Sequence, residues 1–294
     1  MLKSFLNYPG GKYKLLKQIL PLFPDSYTQF IDIFSGSAVV SVNALLDVPT
    51  YAYDNNENLI ELLNFIKKTP TDEIIAGVEK IINDFCLSNT SQKGYAIYGS
   101  DSAIGLSKVN KIAYMNLRES YNNDHDVLKL YVLIVFGFNN QIRFNRSGFF
   151  NNPVGKRDFN SQMAQKLESF SNRVKNMDID FIAKDFRDVS TNLYDAFYYA
   201  DPPYLVTTAV YNENGGWSEQ DEKDLLKFLD SINDAGNKFA LSNVFSSKGR
   251  NNDFLIEWAN NYNVYYLDAN YSNSNYQTSK KGGSVEVLIT NYNK

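Results

Sequence analysis

The stretch Ala196-Phe197-Tyr198-Tyr199-Ala200-Asp201-Pro202-Pro203-Tyr204 decides the fold. Its first five residues form an apolar and aromatic run of strand length, and read as a buried strand. The two prolines after Asp201 have no N–H and fix their own φ, and the residue before each is pushed out of helical space. The strand therefore ends in a stiff loop, rich in acceptors and poor in donors, with Tyr204 beside it as a flat surface. Such a loop suits a flat ligand whose amino group has two hydrogen bonds to give. A strand-ending turn with an acidic helix cap is the plainer account of Asp-Pro-Pro alone. The aromatic in fourth place and the sequence upstream weigh against it.

Upstream, the same grammar recurs. Phe30-Ile31-Asp32-Ile33-Phe34 is strand-like, Ser35-Gly36-Ser37 is a tight turn, and Ala38–Val42 predicts a helix: the first βα unit of a nucleotide-binding fold. Many such turns bind nothing, and the full Gly-x-Gly-x-x-Gly is missing. Thr50–Asp54 predicts a second strand ending in an acid, 18 residues after Gly36, near the spacing of a ribose-binding carboxylate. Capping of a helix over 57–63 is the alternative, with Asn55 or Asn56 able to share the task. Asp178–Ala183 followed by Asp185 is a third strand and acid. Before all of these, Tyr8-Pro9-Gly10-Gly11-Lys12 is a turn that lets backbone approach a ligand, and Lys12 opens a helical pattern with Leu15, Leu16, Ile19 and Leu20 on one face. After Tyr204 come a polar loop to Gly216 that is able to close over a substrate, a helix from Ser218, strands at 238–243, 263–268 and 285–290, and a polar loop at 272–283.

Between the two sets of strands, from about residue 61, helical segments at 71–87, 110–121 and 126–137 dominate, with a long polar loop at 88–110. This reads as an inserted domain. Phe136 to Pro153 then alternates aromatics, amides and arginines around Ser147-Gly148, as a β-hairpin does. A ribbon carrying Arg and Asn fits a DNA major groove; an ordinary hairpin packing its phenylalanines on the core is the alternative. Val127–Arg157 contains no Asp or Glu, yet holds Lys129, Arg143, Arg146, Lys156 and Arg157. Within a chain of net charge −4 that is a local attraction for phosphate, or a solvated face.

Composition narrows the classes. The 294 residues, 44% hydrophobic and 21% charged, are globular values, and no run approaches the ~18 apolar residues of a membrane span. Met1-Leu2-Lys3-Ser4 leads into a motif, not a signal sequence. One cysteine and one histidine make a zinc site or internal disulfide a poor expectation, and a reducing cytoplasm fits. Cys86, in an apolar segment, reads as core, and His125 as a solvated loop residue.

Asp-Pro-Pro-Tyr at 201–204 is the catalytic motif of the amino-methyltransferases, which move a methyl group from S-adenosylmethionine to N6 of adenine or N4 of cytosine. Over nearly its whole length the chain resembles one group of them, the Dam-like (D12 class, alpha group) DNA adenine methyltransferases, with motifs in the family's order. The resemblance implies an α/β, Rossmann-like methyltransferase fold: a mostly parallel sheet with helices on both faces, and an inserted, mainly helical recognition domain carrying a hairpin. It implies residues 1–60 and 158–294 as the cofactor-binding catalytic domain and 61–157 as the recognition domain, the hairpin at about 137–157. Asp201, the Pro202 carbonyl and Tyr204 would be catalytic. Tyr8, Gly11, Lys12, Phe34, Gly36, Ser37, Asp54, Asp185, Phe186 and Asp201 would hold S-adenosylmethionine, its carboxylate near the helix after Gly36, its adenine between Asp185 and Phe186. Asn7, Phe138, Asn139, Gln141, Arg143, Asn145, Arg146, Pro153, Lys156 and Arg157 would meet double-stranded DNA, with Arg143 and Asn139 on bases and Phe138 intercalating. No metal is expected, and a cognate restriction endonuclease is a possible partner, in a bacterial or phage-infected cell.

Two departures bear on the target. A GATC-methylating member carries Lys where this chain has Asn7, and often an aliphatic residue where it has Gln141. A GATC-type site is one option among others. RNA adenine or cytosine N4 as the substrate, or a catalytically silent DNA-binding protein, stay open as alternatives, although cytosine enzymes usually carry Ser where Asp201 stands.

Overall fold

The computed structural model describes residues 1–8, 10–44, 47–207, 216–268 and 283–294. Pro9 and nearly all of the loops expected at 205–216 and 272–283 lie outside them. Among the described residues eight strands make one sheet: β1 (Gln29–Asp32), β2 (Thr50–Asp54), β3 (Ile179–Ala183), β4 (Ala196–Ala200), β5 (Lys238–Ser247), β6 (Arg250–Asn251), β7 (Asn263–Leu267) and β8 (Val285–Thr290). Their order is β3-β2-β1-β4-β5-β8-β7, with β6 folded back on the end of β5. The first five run parallel, and β8 is antiparallel to both its neighbours. The expected mostly parallel sheet is therefore observed.

Both faces are covered, which is why β4 is buried at every position and reads as a continuous apolar run. Phe30, Phe197, Tyr199 and Ala240 point to one face, and Ile31, Tyr198, Phe239 and Leu241 to the other. Between β2 and β3 the chain forms α2 (Glu57–Lys68), α3 (Thr71–Asp84), α4 (Thr90–Lys93), α5 (Ser107–Asp124), α6 (Val127–Phe136) and α7 (Ser161–Lys175). Residues 130 to 136 of α6 are all buried, so that helix is apolar nearly all round, and α2, α3 and α5 pack on it. Its cluster also includes Phe5, Ala52, Ile179 and Phe181, so helical block and sheet share one core, and residue 61 lies inside α2. The opposite face is covered by α8 (Glu219–Asp234) and α9 (Asp253–Ala259). None of the described helices is long and apolar enough to cross a membrane.

Several local expectations are corrected. No α-helix follows Gly36: Ala38 takes φ +56°, and only a 3₁₀ turn, Ser41–Asn43, forms. Ser41 turns its hydroxyl onto Asp32 at 2.6 Å, and the β-branched Val39, Val40 and Val42 are stiff in a helix. The helix expected from Lys12 is broken into two 3₁₀ turns around Leu16–Ile19, because Pro21 cannot continue it. Within 88–110, Asn89 caps α4 through its side chain. Cys86 is exposed, at φ +57° just past α3, instead of in the core. The hairpin is real in its chain path but not a regular ribbon. Gly155 N–H donates to Phe136 O (2.7 Å), Asn151 N–H to Arg143 O (3.0 Å) and Asn145 N–H to Phe149 O (2.8 Å). Between these rungs stand two isolated bridges and a 3₁₀ turn in which Asn139 and Asn140 take positive φ, as asparagines tolerate best.

Candidate active site

The strand order reverses at β1, whose neighbours β2 and β4 lead to opposite sides, and a parallel sheet offers its ligand crevice at such a point, beyond the carboxyl ends. A cavity of about 500 Å³ opens there, lined by Tyr8, Gly11, Lys12, Asp32, Phe34, Gly36, Ser37, Asp54, Asp201, Pro202 and Tyr204, among others. Residues from four parts of the sequence thus converge: the N-terminal turn and the carboxyl ends of β1, β2 and β4. The volume is that of a small-molecule site.

Asp201 follows β4. Its Oδ1 accepts from Lys12 Nζ at 2.7 Å and from the Tyr204 hydroxyl at 3.0 Å, while Oδ2 has no partner among the described residues. Burial pushes Asp201 above the usual carboxylate range, and the Lys12 charge and the two hydrogen bonds pull it back. Lys12 is itself buried and sits 4.8 Å from the centre of the Tyr204 ring. Lys12 therefore acts on Asp201 directly, as well as lining the cavity.

Asp54, at the end of β2, accepts from the backbone N–H of Gly36 (Oδ2, 2.9 Å) and of Asn56 (Oδ1, 2.9 Å). The helix cap is Asn56, which accepts from Leu59 N–H. Gly36 has φ +48°, and a Cβ there would sit 3.1 Å from the Tyr8 ring, so glycine is needed twice over. Below them lies Asp32, to which the sequence assigned no role. It is 1% exposed, burial raises its pKa to about 7, and the nearby Asp201 and Asp54 charges add to the rise. Its Oδ2 is held by Ser41, but its Oδ1 and the Ser35 hydroxyl, both lining residues, have no hydrogen-bond partner among the described residues. Buried polar atoms left open at a cavity wall mark where a ligand's own donors and acceptors belong.

Asp185 and Phe186 stand one step away, at a smaller cavity of about 110 Å³ that shares Phe34, Asn55, Gly216 and Trp217 with the larger one. Asp185 caps the turn after β3 and pairs with Arg187, whose guanidinium also bridges Asp221 (2.6 Å) and Asp224 (2.9 Å) of α8. Phe186 is buried, 5.3 Å from Phe34 and 5.9 Å from Trp217 between ring centres. Trp217 was missed, because it belongs to no strand end; its position depends on tertiary contacts.

The hairpin residues lie apart from the cavity lining. Phe138 is half exposed, and Asn139, Asn145, Arg146, Pro153, Lys156 and Arg157 are exposed, while Gln141 and Arg143 are intermediate. Asn7 joins the two regions: its Nδ2 donates to Asn140 Oδ1 at 3.4 Å, and its Oδ1 accepts from Lys166 Nζ at 2.9 Å. Lys129 leaves the basic set, since it bonds Ser120 and pairs with Asp124.

Comparison with known proteins supplies the family. A family model described as D12 class N6 adenine-specific DNA methyltransferase matches residues 8–273. The chain is 40% identical over 299 residues to the type II methyltransferase M.FokI of Planomicrobium okeanokoites, covering 99% of this chain and 43% of that protein. It is 40% identical over 302 residues to the modification methylase StsI of Streptococcus sanguinis, again 99% and 43%. With the DNA adenine methylase of Escherichia coli K12 it shares 26% over 216 residues, 71% of this chain and 68% of that one. The chain thus spans less than half the length of M.FokI and StsI.

Proposed function

The chain belongs to the D12 class of N6 adenine-specific DNA methyltransferases, and from that premise we propose that it methylates N6 of an adenine flipped out of a short duplex site. The observation that carries the proposal is Asp201, held by Lys12 and Tyr204 on one oxygen and open on the other at the mouth of a ligand-sized cavity.

The lining fits S-adenosylmethionine. Three carboxylates, Asp32, Asp54 and Asp201, face one lysine, which suits a cationic ligand. The open Oδ1 of Asp32 would take its ammonium, the Ser35 hydroxyl its carboxylate, and Asp54 its ribose. Phe34, Phe186 and Trp217 surround the smaller cavity, where an adenine ring would sit beside Asp185. When bound, the cofactor supplies an electrophilic methyl on a sulfonium.

The chain's own residues do the rest. Adenine N6 is a weak nucleophile because its lone pair is delocalised into the ring. Asp201 Oδ2 and the Pro202 carbonyl accept its two N–H bonds and draw the nitrogen toward tetrahedral geometry, freeing the lone pair. Tyr204 offers a ring for stacking. Extruding the base costs a few kcal/mol, least at a mismatched or damaged pair. We assign residues 61–157 to target recognition, with Arg143 and Asn139 on base edges and Phe138 filling the gap in the stack. The modification methylases among its relatives support a place beside a restriction endonuclease of the same site.

Radiolabelled methyl transfer to duplex DNA tests the reading, with Asp201→Ala as control. The variant is expected to bind cofactor and not turn over; full activity in it removes the role of Asp201. Resistance of DNA from expressing cells to a methylation-blocked, GATC-cutting nuclease tests the GATC option.

A further inference from the structure

Glu222 lies on the inner face of α8 with no exposure, and none of the chemistry above uses it. Its Oε1 accepts from Asn252 Nδ2 at 2.7 Å and Asn243 Nδ2 at 3.1 Å, and its Oε2 from Trp217 Nε1 at 2.5 Å. All three donors are neutral, and burial raises its pKa while they pull it back. A buried carboxylate without a cation is costly compared with a packed apolar side chain of the same volume. Stability alone gives no reason for an acid here.

Two of the three donors are fixed by the scaffold. Asn252 caps α9 by accepting from Leu255 N–H at 3.2 Å, and Asn243 is an inner residue of β5 whose Oδ1 accepts from Val244 N–H at 2.7 Å. The third is not. Trp217 lies outside any helix or strand, between Gly216 at φ +67° and the Ser218 cap of α8, and its indole N–H goes to Glu222. That indole forms part of the wall of both cavities and meets Phe34 edge-on at 5.7 Å.

We propose that Glu222 is a positioning residue: anchored by Asn243 and Asn252, it fixes the Trp217 indole as the wall common to the two cavities and so sets how tightly the cofactor is held. This rests on the cofactor assignment made above. It goes further in naming a residue that touches no ligand.

The test is a double-mutant cycle with Trp217→Phe and Glu222→Gln, read as the Kd of S-adenosylmethionine by calorimetry. Trp217→Phe removes the donor and keeps a ring. Each single variant is expected to raise Kd about tenfold, the worth of one charge-assisted hydrogen bond, and the double variant no more than either single. The chain has two tryptophans, so a Trp258→Phe background isolates Trp217. There, Glu222→Gln is expected to shift its emission to longer wavelength and to reduce the change seen on adding cofactor. A merely structural role lowers thermal stability without moving Kd, or gives additive effects; either result overturns the proposal. If Glu222→Gln does not fold, Trp217→Phe carries the test, and an unchanged Kd overturns it. A wild-type protein that binds no S-adenosylmethionine removes the cofactor assignment first, whereas tight wild-type binding with unaltered variants removes this inference alone.

Discussion

Asp32 and Asp201 are both acids lining one crevice, and their neighbours make them behave differently. Asp32 has a pKa raised from 3.8 to about 7, chiefly by burial, so the folded state holds a proton that the unfolded state has lost. Stability therefore falls as pH rises from about 4 to about 7, by on the order of 4 kcal/mol. Asp32→Asn removes that slope: thermal melts should show it near wild type at pH 4 and clearly more stable at pH 8, with weaker cofactor binding. Equal stability of the two proteins at pH 8 would refute the burial argument. Asp201 is also raised by burial, but Lys12 opposes it. Lys12→Met takes that opposition away, so the acidic limb of the kcat profile should move to higher pH; an unmoved limb means that Lys12 does not keep the carboxylate ionised. Asp201 and Asp54 were legible in the sequence as acids at strand ends, which helix capping explains as well; the fold is what brings both to one cavity. Asp32 shows the limit. It stands within Phe30-Ile31-Asp32-Ile33-Phe34, and an acid in an apolar run was a signal, but only the fold reveals that one oxygen is satisfied by Ser41 and the other by none of the described residues.

At the scale of elements, strand ends were plain in the sequence and the segments after them less so. β2, β3 and β4 end where their acids predict, whereas β1 stops at Asp32, two residues before the expected end at Phe34; only β4 is buried at every position and leaves an unbroken apolar signature. The helix after Gly36 failed because tertiary bonds, such as Ser41 to Asp32, outweigh a short helical propensity. The hairpin was legible as a path and not as a geometry: positive φ at Asn139 and Asn140 interrupts the ladder, and no period in the sequence reports that. Its base depends on contact between two glycines. A Cβ on Gly155 would lie 2.5 Å from the Gly137 carbonyl oxygen and 2.7 Å from its carbon, which backbone cannot yield cheaply. Gly155→Ala should therefore splay the hairpin base and weaken DNA binding severalfold, with the Kd for S-adenosylmethionine unchanged. Loss of cofactor binding in that variant would mean that hairpin and cavity are one cooperative unit.

For the whole molecule, electrostatics sets how DNA is held. Acids outnumber bases, 33 to 29, so most of the surface repels a polyanion, and attraction has to be local. With Lys129 tied to Asp124, the acid-free segment retains Arg143, Arg146, Lys156 and Arg157, each at least partly exposed. With Arg143 assigned to a base, phosphate contacts by Arg146, Lys156 and Arg157 would release counterions to give a slope of log K against log salt of about −3. Titrations of one duplex at several salt concentrations should return a slope near that value and weak affinity for unrelated sequence. Arg146→Ala should make the slope shallower by about 1 and weaken cognate and unrelated duplexes equally, as a phosphate contact does. Arg143→Ala should instead relax the choice at one base pair, costing about 1–3 kcal/mol on the cognate site alone. If Arg143→Ala weakens every sequence equally, it too is a phosphate contact, and base reading passes to Asn139 and its neighbours. A slope twice as steep would show that a second surface beyond residues 137–157 grips the backbone, and the assignment of recognition to the hairpin would have to widen.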